Sequence, residues 1–365
     1  MKIALVHDFL NQLGGAERVL TVLHQMYPTA PVYTLLYDPE KTRGFFSSWD
    51  IRPSYLQKWP NFLKKRQKYL LPFYSTAIES FDLSEYDLVI SSSNSFAKGV
   101  ITGPDTLHVS YCHSPMRYAW DWHAEYLNEN KLNWFSKKIV KKIIHQIRIW
   151  DKESAKRVDF WIANSNNVKQ RIKKYYHQDS EVLFPPVNSS NFKIEENPSD
   201  YFLIVSRLSA YKKVELAVKT FNELGYHLVV VGTGEQYNML KSIAKPNVEI
   251  VGFKSDKVVQ EYMSNCRAFV HPLEEDAGIT PLEAMASGRP VIAYHKGGSL
   301  ESVQEGINGV FFNEPTVDSL IEGIKKFEEA ESRFDPQKIQ ESVSQFDNSK
   351  FKEKLEKIIK EKIKL

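Results

Sequence analysis

Residues 274–291 read EEDAGITPLEAMASGRPV, and this stretch decides how the second half of the chain is folded. Thr280, Pro281 and Glu283 have the form of a helix start, with Thr280 as N-cap and Pro281 as the first helical residue. Glu283 is then the reciprocal partner of a capping box. Gly288 ends that helix and Pro290 keeps it ended. The apolar run AFVH at 268–271 precedes the stretch and PVIA at 290–293 closes it. Strand, loop, helix and strand in that order are the repeating unit of a parallel α/β sheet. The helix start explains Glu283 without any ligand. It leaves Glu275 and Gly278 unexplained.

The same alternation runs along the whole chain. Strands are expected at 2–9 (KIALVHDF), 86–91 (YDLVIS), 107–112 (LHVSYC) and 159–163 (DFWIA), with a helix from Ala16 after the loop NQLGG. Residues 184–198 lack periodicity and are rich in breakers, so they are expected to link two domains. Strands resume at 201–206 (YFLIVS), 227–231 (HLVVV) and 249–251 (EIV). The expected organisation is an N-terminal domain over 1–188 and a C-terminal domain over 189–340. A charged helical tail over 341–365 is expected to pack back across them. Two open α/β sheets in series leave a cleft, and such sheets bind ligands beyond the carboxyl ends of their strands.

Composition narrows the class. At 365 residues the chain exceeds the usual single core, which agrees with two domains. A net charge of +3 gives no global reason to expect nucleic acid as a partner. Cys112 and Cys266 are far apart and make no metal-ligand spacing, so a reducing, cytoplasmic setting is expected. The opening apolar run is cut by His7 and Asp8, too early for a signal peptide. No run of about 18 apolar residues offers a membrane span.

Residues 206–213 (SRLSAYKK) follow a strand and open a helix with the apolar stripe Val214, Ala217, Val218 and Phe221. Arg207, Lys212 and Lys213 sit where the helix macrodipole disfavours cations by a few tenths of a kcal/mol each. A bound anion would reverse that penalty, so a phosphate or pyrophosphate site competes evenly with a solvated basic turn. Gly14 and Gly15, between the first strand and first helix, would also let backbone approach a phosphate. VGTG at 231–234 lacks the third glycine of a dinucleotide fingerprint and is read as an ordinary turn. His113 lies just past a strand, where α/β folds place site residues, and equally suits a structural role. Arg117, Trp120 and Asp121 suit sugar or phosphate recognition and equally suit packing. Zinc-binding, P-loop and nucleophile-elbow motifs are absent, as is the Asp-x-Asp that commonly holds a metal against a nucleotide diphosphate. Side-chain cations and helix dipoles would then neutralise a departing diphosphate.

Taken together, these residues resemble glycosyltransferase family 4. The segment 275–291 resembles its E-x7-E element, through Glu275 and Glu283. Arg207 and Lys212 match its Arg and Lys five apart, Gly15 its N-terminal loop glycine, and His113 its histidine facing the donor sugar. Gly297, Gly298 and Glu301 match its Gly-Gly…Glu element. More narrowly, YCHSPMRYAWD and VSRLSAYKKVELAV resemble bacterial O-antigen-type mannosyltransferases that use GDP-mannose. Two departures stand out: Ala277 replaces the usual Phe before the loop glycine, and Lys213 stands where many relatives have Gly.

The resemblance implies a GT-B fold, α/β with two Rossmann-like doubly wound domains facing each other across a cleft. It implies a metal-independent, cofactor-free transferase with retention of anomeric configuration and a nucleotide-sugar as substrate. Glu275 would accept from sugar hydroxyls and Glu283 from the ribose. Arg207 and Lys212 would stabilise the leaving diphosphate, and His113 would orient the sugar. Backbone N–H groups at Ala277, Gly278 and Ile279 would hold sugar or phosphate, and Val251, Gly252 and Phe253 would line the base pocket. The acceptor, a glycan or lipid-linked sugar, would lie on the N-terminal domain. A UDP-sugar is the rival donor; an NAD-dependent oxidoreductase and a non-catalytic nucleotide-sugar binder are the rival classes.

Residues 131–150 (KLNWFSKKIVKKIIHQIRIW) carry cations, aromatics and no acid before residue 151. Lys137, Lys138, Lys141 and Lys142 with the interleaved Trp and Ile residues suit an anionic membrane surface, a peripheral placement on the inner leaflet. Packing of the apolar face against the N-terminal core accounts for the same pattern equally well.

Overall fold

The computed structural model describes residues 1–121 and 134–363. The chain divides into two units, one of residues 1–184 with 352–365 and the other of residues 185–351. The interruption falls between Phe184 and Pro185, inside the breaker-rich segment. The tail divides too, since residues 341–351 stay with the second unit. Within the first unit Lys352 Nζ donates to Gln25 Oε1 at 3.0 Å, and the Lys362 ammonium lies 4.4 Å from the centre of the Phe160 ring.

The first unit holds a seven-stranded parallel sheet in the order β3-β2-β1-β4-β5-β6-β7. Its strands are β1 (Ile3–Leu10), β2 (Val32–Tyr37), β3 (Ile51–Pro53), β4 (Leu88–Ser93), β5 (Leu107–Cys112), β6 (Phe160–Ala163) and β7 (Glu181–Val182). The order reverses between β1 and β4. The second unit holds a six-stranded parallel sheet in the order β10-β9-β8-β11-β12-β13. These are β8 (Phe202–Val205), β9 (Leu228–Val231), β10 (Val248–Gly252), β11 (Ala268–His271), β12 (Val291–Tyr294) and β13 (Gly309–Phe312). Its order reverses between β8 and β11.

Central strands such as LVVV and VIAY are buried along their length because helices cover both faces of a parallel sheet. The helix Val214–Leu224 buries Val214, Ala217, Val218 and Phe221, the stripe its spacing prescribes, against β8 and β9 side chains. The strands at 32–37, 51–53, 181–182 and 309–312 were not among the sequence expectations.

One local expectation is corrected. The helix after the Glu275 loop is Ile279–Ala286, and its N-cap is Gly278 in the left-handed region at φ +68°, with no side-chain cap. Thr280 is therefore already helical, Pro281 is the third helical residue, and Glu283 closes no capping box. The positive φ turns the chain into the helix two residues early, a conformation glycine adopts without a Cβ clash. At the other end Gly288, at φ +72°, terminates the helix as expected.

Candidate functional site

In the second unit the sequence-selected residues gather on loops leaving β8 and β11, the neighbouring strands at the reversal of strand order. Arg207 is exposed, and its Nη2 donates to the Tyr211 hydroxyl at 2.7 Å. Tyr211 also faces Lys212, whose ammonium is 5.2 Å from the ring centre, so one aromatic side chain arranges both cations. Lys212 forms an ion pair with Glu275, and both side chains are about four-fifths buried. Lys213 is the N-cap of Val214–Leu224 and is held at φ +50°. That left-handed conformation explains why glycine suits this position, and Lys213 adopts it at a cost of about 1–2 kcal/mol.

Glycines set the spacing of these loops. A Cβ on Gly232 would meet the Ser206 carbonyl oxygen at 1.8 Å, and one on Gly234 the Leu208 oxygen at 2.2 Å. The turn at 231–234 is thus structural, and it fixes the path of the segment carrying Arg207. Gly298 N–H donates to the Glu275 carbonyl at 2.7 Å, and Gly297 forms a β-bridge with Glu275. A Cβ on Gly297 would lie 2.4 Å from the Glu275 oxygen, and one on Gly298 2.5 Å from the Asp276 oxygen. Gly297 and Gly298 therefore hold the Glu275 loop from behind. Ala277 and Glu283 are buried, Ile279 is half-buried, and Phe253, after the turn at Gly252 and Val251, is exposed.

His271, missed in the sequence, ends β11 four residues before Glu275. It is buried, and burial, reinforced by the nearby Lys212 charge, pushes its pKa down to about 3. A neutral imidazole 3.8 Å from the Glu275 carboxylate is neither an ion pair nor a hydrogen bond, so its Nε2 has no protein partner. Ser209 Oγ, Gln236 Oε1 and Ser299 Oγ are likewise buried and unpartnered. These four atoms follow or end β8, β9, β11 and β12, which are consecutive in the sheet. Buried polar atoms are nearly always paired, so four without partners at the carboxyl ends of adjacent strands mark a place built to receive polar groups. The signal in the sequence was a polar residue just past each apolar run.

In the first unit Gly14 caps the helix Gly15–Met26, and its N–H donates to Glu17 Oε2 at 2.8 Å. That amide is already committed to the protein, whereas Gly15 is exposed. At the reversal between β1 and β4, Asp8 accepts from the N–H groups of Asn94, Ser95, Phe96 and Ala97 at 2.5, 2.9, 2.7 and 2.7 Å. An internal carboxylate fills this cluster of amides. His113 follows β5, is buried, and its Nε2 lies 2.8 Å from Ser92 Oγ.

Trp120 and Asp121 are engaged within the same unit. Trp120 Nε1 donates to Asp151 Oδ2 at 2.7 Å, and its ring stacks on Tyr175 with centres 4.8 Å apart. Asp121 accepts from Arg171 and Tyr175. Arg117 is half-buried beside them. Asp151 also pairs with Lys98, a fully buried lysine unforeseen in the sequence.

The basic segment forms the helix Trp134–Ser154, and residues 131–133 of the stretch lie outside the described residues. Ile144 and Ile147 are buried, whereas Lys138, Lys141 and Lys142 are exposed and Lys137 is half-buried. Trp134 is 70% exposed with the Lys138 ammonium 4.0 Å from its ring centre. Among the described residues no helix is long and apolar enough to cross a membrane, and no three His, Cys, Asp or Glu side chains gather as a metal site.

Residues 13–191 match the family model for glycosyltransferase family 4, and residues 188–362 match that for glycosyl transferases group 1. The chain belongs to the family 4 glycosyltransferases. This family 4 chain is 30% identical over 193 residues to human alpha-1,3/1,6-mannosyltransferase ALG2, a match covering 44% of the chain and 46% of ALG2. It is 29% identical over 204 residues to the O-antigen chain mannosyltransferase RfbU of Salmonella typhimurium, covering 50% and 56%. The chain thus spans about half the length of these curated relatives. In fold it is similar to Anabaena HepE, solved in complex with UDP-glucose, with a TM-score of 0.72 at 18% identity over 99% of this chain and 100% of HepE.

Proposed function

We propose that this chain is a retaining hexosyltransferase that moves mannose from GDP-mannose to a glycan or lipid-linked acceptor in surface polysaccharide or glycolipid synthesis. The observation that carries the reading is the convergence of Arg207, Lys212, Glu275 and four unpartnered buried polar atoms on the carboxyl ends of β8, β9, β11 and β12. Two cations and a carboxylate suit a ligand with a diphosphate at one end and hydroxyls at the other. Mannose is supported by the names of ALG2 and RfbU.

Each role follows from charge and position. As the bond from sugar to phosphate breaks, negative charge grows on the diphosphate. Arg207 and Lys212 neutralise it without a metal, and one preorganised donor of this kind contributes about 3–4 kcal/mol. A donor phosphate would draw Lys212 away from Glu275, freeing the carboxylate to accept from a sugar hydroxyl. Glu283 accepts from the ribose, the amides at Ala277–Ile279 hold the donor, and Val251–Phe253 line the base. His113 orients the sugar. The leaving phosphate oxygen takes the acceptor proton. A UDP-sugar is the second reading, because HepE, of the same fold, holds UDP-glucose.

The N-terminal unit is proposed to dock peripherally on an anionic inner leaflet through Lys138, Lys141 and Lys142, with Lys137 and exposed Trp134 beside them. Each cation near such a surface adds about 1 kcal/mol. Substituting the four lysines should abolish co-sedimentation with anionic vesicles; binding that survives would end this part of the reading. The transfer itself is tested by incubating the protein with GDP-mannose or UDP-glucose and a lipid-linked oligosaccharide extract. Mannosylated product with GDP release is expected. Product from UDP-glucose alone would replace mannose, and no product from either donor would remove the reading.

A further inference from the structure

His271 stands behind Glu275 at the end of β11. It is in register with Ala293 of β12, and Pro272, which follows it, favours an extended backbone there. The imidazole stacks on Phe269 with ring centres 6.5 Å apart and is 2% exposed. Its Nε2 has no hydrogen-bond partner and lies 3.8 Å from Glu275 Oε2. The other carboxylate oxygen, Oε1, is paired with the Lys212 ammonium. Each oxygen of Glu275 thus faces one nitrogen, and only the contact with Lys212 is made. We infer that His271 is a positioning residue that takes over Glu275 when a nucleoside diphosphate draws Lys212 away, donating Nε2–H to Oε2 and leaving Oε1 for the sugar. The exchange rests on the proposed donor site, because a diphosphate has to move Lys212.

Little has to move. The Glu275 backbone is fixed by its bridge to Gly297 and by the Gly298 N–H on its carbonyl, so only side-chain torsions turn. A nitrogen–oxygen hydrogen bond is about 2.9 Å long, so the carboxylate has to come about 1 Å nearer the ring. Burial, reinforced by the Lys212 charge, pushes the His271 pKa down to about 3, so the ring is neutral and carries one proton. A carboxylate can only accept, and its approach selects the tautomer with that proton on Nε2. Breaking an ion pair at this depth is costly unless another donor replaces the cation. A neutral imidazole does so without adding a second cation to compete for the diphosphate, and Glu275 keeps the charge with which it accepts from a hydroxyl.

Calorimetric binding of GDP, with UDP in parallel, to the full chain tests the exchange. Neither nucleotide carries a donor sugar, so each moves Lys212 without offering Glu275 a sugar hydroxyl. His271→Leu, which fills the space without a donor, should weaken the nucleotide about tenfold, the value of one hydrogen bond. His271→Gln, whose amide nitrogen reaches about as far as Nε2, should restore most of that loss. In Glu275→Gln there is no ion pair to break, so adding His271→Leu should leave the affinity unchanged. An affinity indifferent to His271→Leu, or a loss that persists in the Glu275→Gln background, would overturn the inference and leave the donor site standing. Nucleotide binding absent from the parent protein would overturn the donor reading and the exchange with it. Long-range proton–nitrogen spectra of the ring-labelled parent give a second readout that does not depend on how well His271→Leu folds. With GDP bound His271 is expected as the Nε2–H form, and an Nδ1–H form would overturn the inference.

Discussion

Lys212 and Glu275, on loops that leave the neighbouring strands β8 and β11, form an ion pair at the reversal of strand order in the second sheet. The two residues are 63 apart in sequence (275 − 212), and the parallel topology alone brings them together. Either partner removed leaves the other charge partly buried, so truncation of one mixes a structural effect with a catalytic one.

Arg207 offers the cleaner test of diphosphate stabilisation. Its side chain is exposed, and its Nη2 donates to the Tyr211 hydroxyl. Arg207→Ala should leave the melting temperature near that of the parent. Turnover should fall by about 10²–10³, the loss that goes with a preorganised charge donor. Steady-state kinetics beside a melting curve check this, and retained turnover would remove Arg207 from the site.

Gly298 should tolerate no side chain. A Cβ would lie 2.5 Å from the Asp276 oxygen and 2.7 Å from Ala277 Cα, both backbone atoms. Gly298→Ala should destabilise by about 1–3 kcal/mol and displace the Glu275 loop, lowering turnover. Gly103→Ala, whose nearest atom would be Thr106 Oγ1 at 3.5 Å, serves as the control and should change stability by less than about 0.5 kcal/mol. Equal effects of the two substitutions in chemical denaturation would contradict the packing described.

Much of this was legible in the sequence. The apolar runs at 107–112 and 268–271 are strands with those bounds, and the stripe from Val214 to Phe221 is buried as its spacing requires. The reading of Thr280 failed because a glycine in a left-handed turn can start a helix with no capping side chain, and sequence does not display φ. Strands β3 and β7, of three and two residues, are too short to carry a pattern. His7 and Ser92 were invisible as a pair because their contact is set by strand register across 85 residues. Lys98 carries no signal in the sequence, because Asp151, the partner that lets it be buried, lies 53 residues on.

Lys98 and Asp151 should be strongly coupled. Asp151→Ala strands a fully buried ammonium and should cost about 3–5 kcal/mol, whereas Lys98→Met with Asp151→Leu should cost much less than the two single changes added together. Additive effects in a double-mutant cycle measured by denaturation would show that the pair is not coupled.

Acid should weaken the fold through its buried histidines. Burial pushes the His108 pKa down to about 4 from the ordinary 6.5, and His271 shifts the same way. Above pH 6.5 both are neutral whether folded or unfolded. Below it the unfolded chain takes up protons that the folded chain excludes, so stability falls as pH drops toward the folded values. His108 alone should account for about 2 kcal/mol between pH 7 and pH 5. Denaturation of the parent and of His108→Gln at the two pH values checks this; equal pH dependence would contradict it.

The central claim is that the second unit binds a guanine nucleotide-sugar. The most direct measurement is thermal stability of the full chain against GDP, GDP-mannose, UDP, UDP-glucose, ADP and NAD. A ligand at a hundred times its dissociation constant stabilises by about 2.7 kcal/mol, a shift of a few degrees. A selective shift with GDP and GDP-mannose, lost in Arg207→Ala, is the predicted result. A shift with UDP-sugars alone would contradict the guanine donor, and a shift with NAD alone would contradict the site itself.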